Sequence, residues 1–161
     1  MKVETTKQVS GNRKSIRIQS KNTFNGGLLI LDSAHMPTGC GTWPAWWSNG
    51  MYDPFCRFFF FGANAFPGPN WPAGGEIDII EGVGDYTNNQ ATLHTDPGCG
   101  LASTDSRALS ISGTLIGGTD CAVSATSNQG CGVRANSNTT FGAGFNSIGG
   151  GVYASTFSTS L

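Results

Sequence analysis

Three carboxylic acids, Glu76, Asp78 and Glu81, stand within six residues of a chain that carries little charge elsewhere. From Glu76 onward polar and apolar residues alternate, which is the period of a half-buried β-strand. Glu76 and Asp78 therefore share one face, and Ile77 and Ile79 turn toward the core. Strict alternation would bury Glu81, but a one-residue β-bulge at Ile79–Ile80 would return it to the face of the other two acids.

Acids arranged in this way suit the hydrolysis of glycosidic bonds. Glycosidases place two carboxyl groups beside the scissile bond, one as nucleophile or base and the other as proton donor. A third acid between them can keep their pKa values apart. Four strand positions span roughly 13 Å, whereas a retaining pair needs about 5–5.5 Å, so Glu76 and Glu81 must lean together. The alternative is a polar strand face in water, where three neighbouring acids would repel one another.

Four tryptophans flank the acids, and their rings could stack on the apolar faces of sugars. Trp46 and Trp47 are neighbours, so on a strand they point in opposite directions and at least one of them belongs to the core. Trp71 lies in a Pro-Asn-Trp-Pro loop five residues before Glu76, which favours a place in a binding cleft. Core packing is the alternative for each of these side chains.

A second alternating stretch, residues 90–95, follows the acids after a turn-rich loop. It predicts an antiparallel neighbour of the acid-bearing strand, with His94 over the acids. There His94 could hydrogen-bond to Glu81 or to a sugar hydroxyl. A histidine with a purely structural role fits the same pattern.

These motifs together resemble glycoside hydrolase family 16, and in particular fungal endo-β-1,3(4)-glucanases of the laminarinase type. The resemblance rests on residues 35–47, 74–82 and 89–95, and it covers nearly the whole chain. It implies an all-β, concanavalin-like jelly-roll sandwich of two antiparallel sheets. It also implies endo-acting, retaining hydrolysis of β-1,3 and mixed β-1,3/1,4 glucans, without cofactor or metal. In this family's motif Glu76 is the nucleophile, Glu81 the general acid/base and Asp78 the helper between them, and Trp46, Trp47, Trp71 and His94 are candidate substrate-binding residues.

The composition of the chain supports a single all-β domain. Its 161 residues carry a net charge of −1 and only 12% charged residues, against about 25% in average proteins. So little charge argues against a nucleic-acid partner or a basic membrane surface. The 24 glycines predict many short strands joined by turns. No apolar run reaches the 18 residues or more of a membrane span.

Five cysteines and the glycosylation sequon at residues 138–140 favour an oxidising, secreted origin for the parent protein. The cysteines lack the spacing and the histidine partners of a zinc site, and their pairing stays open. The first residues contain no signal peptide, so we expect this chain to lack the leader of its parent. The expected partner is a β-glucan, and the expected state is a monomer.

Five further stretches predict strands. Residues 15–20 alternate, with Ile16 and Ile18 inward, and residues 27–32 read as a buried strand. Another strand is predicted to begin at Thr42–Trp43. Residues 109–112 and 113–116 each predict a short strand.

Residues 51–68 do not fit the rest of the chain. Phe58 to Phe61 form a run of aromatic residues without alternation, and removing residues 51–68 restores a sequence that resembles the family throughout. Codons for the ends of this segment can contain fungal splice signals, which suggests an in-frame retained intron. We therefore expect a single partial catalytic domain over residues 1–161 with an anomalous insertion. The alternatives are a non-catalytic, lectin-like β-glucan-binding module and an inactive product truncated at both ends.

Overall fold

The part of the chain that the structure describes forms eight strands and two short helices. The computed structural model describes residues 4–24, 26–51, 60–61 and 70–157. In chain order the elements are β1 Gly27–Ser33, β2 Ala45–Met51, β3 Phe60–Phe61, β4 Glu76–Glu81, β5 Gln90–His94, β6 Thr114–Ile116, α1 Val123–Thr126, β7 Cys131–Arg134, α2 Gly142–Ser147 and β8 Gly151–Phe157.

The strands build two antiparallel sheets. The larger has six strands in the order β3-β2-β4-β5-β7-β6, and the smaller pairs β1 with β8. The acid-bearing strand β4 lies inside the larger sheet, with β2 on one side and β5 on the other. The predicted all-β sandwich of two antiparallel sheets is therefore confirmed, and so is the pairing of residues 90–94 with the acid-bearing strand.

One hydrophobic cluster holds the two sheets together. Its buried members are Met36, Ile80, Phe141 and Phe145, and the half-buried side chains of Leu31, Trp46, Ile79 and Tyr153 pack against them. Leu31 and Tyr153 face each other across β1 and β8, whereas Trp46 and Ile80 face each other across β2 and β4. The core thus lies between the sheets, on the side of β4 opposite to the acids.

The helix α2 is tied to the loop that follows β1. The side-chain amide of Asn146 donates to the Met36 carbonyl oxygen and accepts from the Met36 backbone N–H, both at 2.9 Å. A single side chain therefore satisfies both backbone groups of Met36. This pair of bonds fixes Met36 in the core.

Two predictions about the N-terminal third are wrong. Residues 15–20 are not a strand, and Ile16 and Ile18 are 63% and 72% exposed. Alternation cannot form a strand without a neighbour to share backbone hydrogen bonds, and no strand within the described ranges pairs with this segment. Residues 27–32 do form a strand, but Leu28 and Ile30 are exposed because the β1–β8 sheet is covered on one face only.

Two strand boundaries also differ from the sequence prediction. The strand predicted at Thr42–Trp43 begins only at Ala45, because Thr42 closes a turn onto the Gly39 carbonyl and Pro44 has no N–H to donate. Residues 113–116 contain β6, as predicted. Residues 109–112 instead belong to a turn in which the Leu109 N–H donates to the Asp105 carbonyl.

A disulfide joins Cys121 to Cys131, the first residue of β7. It connects β7 to the chain just before α1. Cys40 is exposed and free. No helix in the described part of the chain is long and apolar enough to cross a membrane.

The anomalous segment 51–68 lies mostly outside the described residues. Within it, only Met51 and the two residues of β3 are described, and Met51 pairs with Phe60. The prediction that this segment is an insertion therefore stays a prediction.

Candidate active site

The three acids share one face of β4, which we call the acid face. Trp46 pairs with Ile80 and Trp47 with Asp78, so Ile79 is the one extra residue of a β-bulge. This is the bulge that the parity of the sequence predicts. Beyond it Glu81 returns to the acid face, where its carboxylate lies within 4.8 Å of the ligand atoms of Asp78 and His94.

His94 reaches the acid face from the neighbouring strand. It lies opposite Glu76 in the β4–β5 register, and its Nε2 is 3.2 Å from Asp78 Oδ2. The partner is thus Asp78 and not Glu81, contrary to the first of the two sequence-based alternatives. Burial alone would lower the pKa of His94, but Asp78 and the charges of the two glutamates outweigh burial and raise it. An imidazolium at this place would offset part of the negative charge.

Two tryptophans donate hydrogen bonds to the glutamates at the two ends of the row of acids. The indole N–H of Trp71 donates to Glu76 Oε2 at 2.5 Å, and that of Trp43 donates to Glu81 Oε1 at 2.9 Å. Trp71 is half-buried, in the loop that the sequence predicted, while Trp43 is 69% exposed. Trp43 was not among the predicted site residues because its partner lies 38 positions away in sequence. Only the fold brings them together.

Trp46 and Trp47 point to opposite faces of β2. The half-buried Trp46 packs against the core cluster, which favours the core alternative for this side chain over its predicted part in substrate binding. The reason is strand alternation, because Trp46 pairs with the buried Ile80. Trp47 pairs with Asp78 and therefore lies on the acid face. The guanidinium of Arg17 lies 5.2 Å from the centre of the Trp47 ring, a cation–π contact that covers part of it.

The two glutamates have unusual proton affinities. Burial, followed by the charge of Asp78, raises the pKa of Glu76 to about 7, although the Trp71 hydrogen bond opposes this. Burial and Asp78 also raise the pKa of Glu81, opposed by the bond from Trp43. Asp78 itself is 1% exposed and is the largest fully buried polar side chain of the site. The site therefore favours protonated glutamates, which is a requirement for a general acid near neutral pH.

Asp78, Glu81 and His94 could also hold a metal ion, since one ligand atom from each lies within 4.8 Å of the others. Carboxylate and imidazole groups are ordinary ligands of divalent cations. However, the imidazole Nε2 already contacts Asp78. A cation would have to replace that contact.

A glycoside hydrolase uses two carboxyl groups whose pKa values are set by their surroundings. This site has two glutamates with raised pKa values, an aspartate between them and indole rings beside them. The family model described as XgeA-like, catalytic GH16 domain matches residues 1–55 and 62–161. The chain therefore belongs to glycoside hydrolase family 16.

Similar proteins come from fungi. A probable glycosidase of Schizosaccharomyces pombe is 42% identical over 155 residues, which are 95% of this chain and 32% of that protein. A probable endo-1,3(4)-beta-glucanase of Aspergillus flavus is 41% identical over 150 residues, which are 92% of this chain and 19% of that protein. The chain thus spans a third or less of these relatives.

Solved structures show the same fold. Laminarinase 16A of Phanerochaete chrysosporium, with two β-glucans (6-O-glucosyl-laminaritriose) in donor and acceptor sites, superposes with a TM-score of 0.71 at 36% identity. The match covers 94% of this chain and 43% of the laminarinase. An elongating family 16 β-1,3-glucosyltransferase matches with a TM-score of 0.68 at 36% identity, over 91% of this chain and 41% of the transferase. The jelly-roll fold expected from the sequence is confirmed.

Proposed function

We propose that the acid face carries out endo-acting, retaining hydrolysis of β-1,3 and mixed β-1,3/1,4 glucans. The observation that carries this proposal is the bulge at Ile79, which brings Glu81 onto the same face as Glu76 and Asp78. A strand without the bulge would turn Glu81 into the core, away from Glu76 and from a substrate bound on the acid face. The names of the relatives give the substrate class.

Glu76 is the nucleophile in this proposal, and Glu81 is the general acid/base. The Glu76 carboxylate attacks the anomeric carbon while the bond to the leaving oxygen breaks and the Glu81 proton moves to that oxygen. Glu81 then takes a proton from water, whose oxygen attacks the same carbon and releases Glu76. Two inversions at one carbon give net retention of configuration.

Asp78 and His94 set the charge state of the pair. Asp78 is buried between the glutamates and raises the pKa of both, which favours protonated Glu81 before the reaction and opposes the ionisation of Glu76. His94 contacts Asp78 and balances its charge. Trp71 donates to Glu76 and so favours the carboxylate form that the attack needs.

Glucan binding is assigned to the indole rings on the acid face. Trp43, Trp47 and Trp71 all lie beside the acids, where their rings can stack on the C–H faces of glucose. A lectin-like module would need only these rings. The raised pKa values of Glu76 and Glu81 favour catalysis over simple binding.

We further propose that the parent protein is secreted and acts as a monomer. The Cys121–Cys131 disulfide supports secretion, because such bonds persist in oxidising compartments. Residues 51–68 are proposed to be a retained intron. The family match omits residues 56–61, which lie inside this segment, and sequencing the mature transcript tests the idea, since these codons must be missing from the spliced message.

The function is tested by expressing the protein with and without residues 51–68 and measuring reducing ends released from laminarin and lichenan. We expect turnover from the form without the segment, with xylan as an inactive control substrate. The Glu76→Gln variant of the same form controls for contaminating enzymes, because it keeps the shape of the side chain and removes the nucleophile. Equal release by the wild type and by Glu76→Gln would refute the proposed function.

A further inference from the structure

The bulge that brings Glu81 onto the acid face interrupts the backbone pairing between β4 and β5. The β4–β5 register ends at the pair Asp78–Thr92. Past this pair, the Ile79 carbonyl and the Glu81 N–H have no partner from β5. Polar backbone groups at a buried strand need partners, or they destabilise the conformation that exposes them.

One side chain satisfies both groups. The amide of Asn89, the residue just before β5, donates from Nδ2 to the Ile79 carbonyl oxygen at 2.8 Å. Its Oδ1 accepts from the Glu81 N–H at 3.2 Å. A primary amide suits this place because it offers a donor and an acceptor side by side, which neither a carboxylate nor an aliphatic side chain does.

Asn89 is itself rigidly held. It is 7% exposed, its backbone N–H donates to Thr140 Oγ1 at 3.0 Å, and its carbonyl accepts from the Ala135 N–H at 2.8 Å. Thr140 Oγ1 in turn donates to the Ser137 carbonyl oxygen. The bulge is therefore fastened to the loop after β7, a part of the chain that carries no acid.

We propose that Asn89 is a positioning residue that holds the Glu81 carboxyl group in place for proton transfer to the leaving oxygen. This inference rests on the proposed role of Glu81 as general acid/base. Asn89 touches no substrate in this proposal and acts only through the backbone of β4. Since a misplacement of about 1 Å can cost on the order of 10²-fold in rate, release of the bulge lowers the rate of the step that needs the Glu81 proton.

The test compares two substrates that differ in their need for a proton. Laminarin has a poor leaving group and needs the general acid, whereas 2,4-dinitrophenyl β-laminaribioside expels a phenolate without it. In the full-length protein we expect Asn89→Ala to lower kcat on laminarin by about 10- to 100-fold. Release of dinitrophenol in the first turnover is expected to change by less than about threefold, because that step needs only Glu76.

Asn88→Ala is the matched control. Asn88 is the neighbour of Asn89 and has the same side chain, but its amide donates to the Ala135 carbonyl oxygen at 2.8 Å and accepts from the Thr87 hydroxyl. Both rates are expected to stay within about twofold of the wild type, because the half-buried Asn88 side chain bonds to the loop after β7 and not to the backbone of the bulge. Asn89→Asp provides a second variant of the same shape, which loses the donor to Ile79 and is expected to show the same substrate dependence as Asn89→Ala.

A double-mutant comparison separates positioning from folding. If Asn89 acts through Glu81, adding Asn89→Ala to Glu81→Ala lowers the residual rate on laminarin much less than Asn89→Ala lowers the rate of the wild type. Equal losses on both substrates, no loss on laminarin, or a failure of both Asn89 variants to fold while Asn88→Ala folds would each overturn the inference. A folded wild type that cleaves neither substrate would refute the proposed function instead, and the inference would fall with it.

Discussion

At the scale of single residues, the site controls protonation mainly through burial and through Asp78. Both raise the pKa of Glu76 and of Glu81, whereas the two indole hydrogen bonds oppose them. The nucleophile must lose its proton and the acid must keep its own, so the pKa of Glu76, raised to about 7, sets the acidic limb of the activity profile, and the raised pKa of Glu81 sets the basic limb. Each indole adjusts one limb of that profile.

Trp71→Phe is expected to move the acidic limb of kcat/KM to higher pH. The change removes the indole N–H that stabilises the Glu76 carboxylate and keeps an aromatic ring for stacking. Because the hydrogen bond lowers the pKa of Glu76, its loss raises that pKa and fewer molecules have an ionised nucleophile at low pH. With a hydrogen bond worth about 1 kcal/mol, kcat/KM on the acidic limb falls about fivefold.

Trp43→Phe is expected to shift the other limb of the same pH profile, the basic one. Trp43 donates to Glu81, so its loss raises the pKa of the general acid and moves the basic limb upward. The acidic limb stays in place. A pH profile of kcat/KM on laminarin for the two variants distinguishes these effects, and the same shift in both limbs for either variant would contradict the assignment of one indole to each glutamate.

At the scale of elements, the close approach between β5 and the turn before β7 positions His94. Gly130 has a φ of 62°, and a Cβ at this residue would lie against the Leu93 carbonyl oxygen and 3.0 Å from His94 Nδ1. Gly84 has a φ of 60° but open space around its Cβ position. The two glycines therefore share a left-handed backbone conformation and differ in how closely their Cβ positions are packed.

Alanine substitutions at these glycines should separate the two contributions. Gly84→Ala is expected to cost about 1–2 kcal/mol of unfolding free energy through the left-handed backbone alone. Gly130→Ala is expected to cost about 1–3 kcal/mol more, because the neighbouring backbone must shift. Denaturant unfolding measures both, and equal losses would show that the contact at Gly130 is relieved without strain.

The sequence predicts those parts of the site that depend on strand alternation. The parity argument placed the bulge at Ile79–Ile80, and the alternation of residues 90–95 placed His94 beside the acids. The same alternation failed at Ile16 and Ile18, because a pattern does not reveal whether a neighbouring strand exists.

Contacts between residues that are far apart in the chain could not be predicted from the sequence. Trp43 meets Glu81 across 38 positions, and Asn89 stands in a polar turn whose residues are typical of loops. The choice between Trp46 and Trp47 also needed the register of β2 against β4, since either could have faced the core. Sequence reasoning could state that one of them was buried, but not which.

At the scale of the whole molecule, the two faces of the larger sheet have different roles, one in the core and one in the site. Its inner face contributes Trp46, Ile79 and Ile80 to the core, and its other face carries the acids and the indole rings. The bulge in β4 serves both, because it keeps two successive isoleucines in contact with the core cluster while Glu81 returns to the acid face. The chain corresponds to part of a longer relative, since it covers 43% of the solved laminarinase.

The anomeric configuration of azide products tests the central claim most directly. In the full-length protein without residues 51–68, Glu76→Ser and Glu81→Ala are each incubated with azide and 2,4-dinitrophenyl β-laminaribioside. Azide replaces the missing nucleophile in Glu76→Ser and should give the α-glycosyl azide. In Glu81→Ala the covalent intermediate still forms, and azide should attack it from the opposite side to give the β-glycosyl azide. Products with the reverse configurations, identified by nuclear magnetic resonance, would contradict the roles assigned to Glu76 and Glu81.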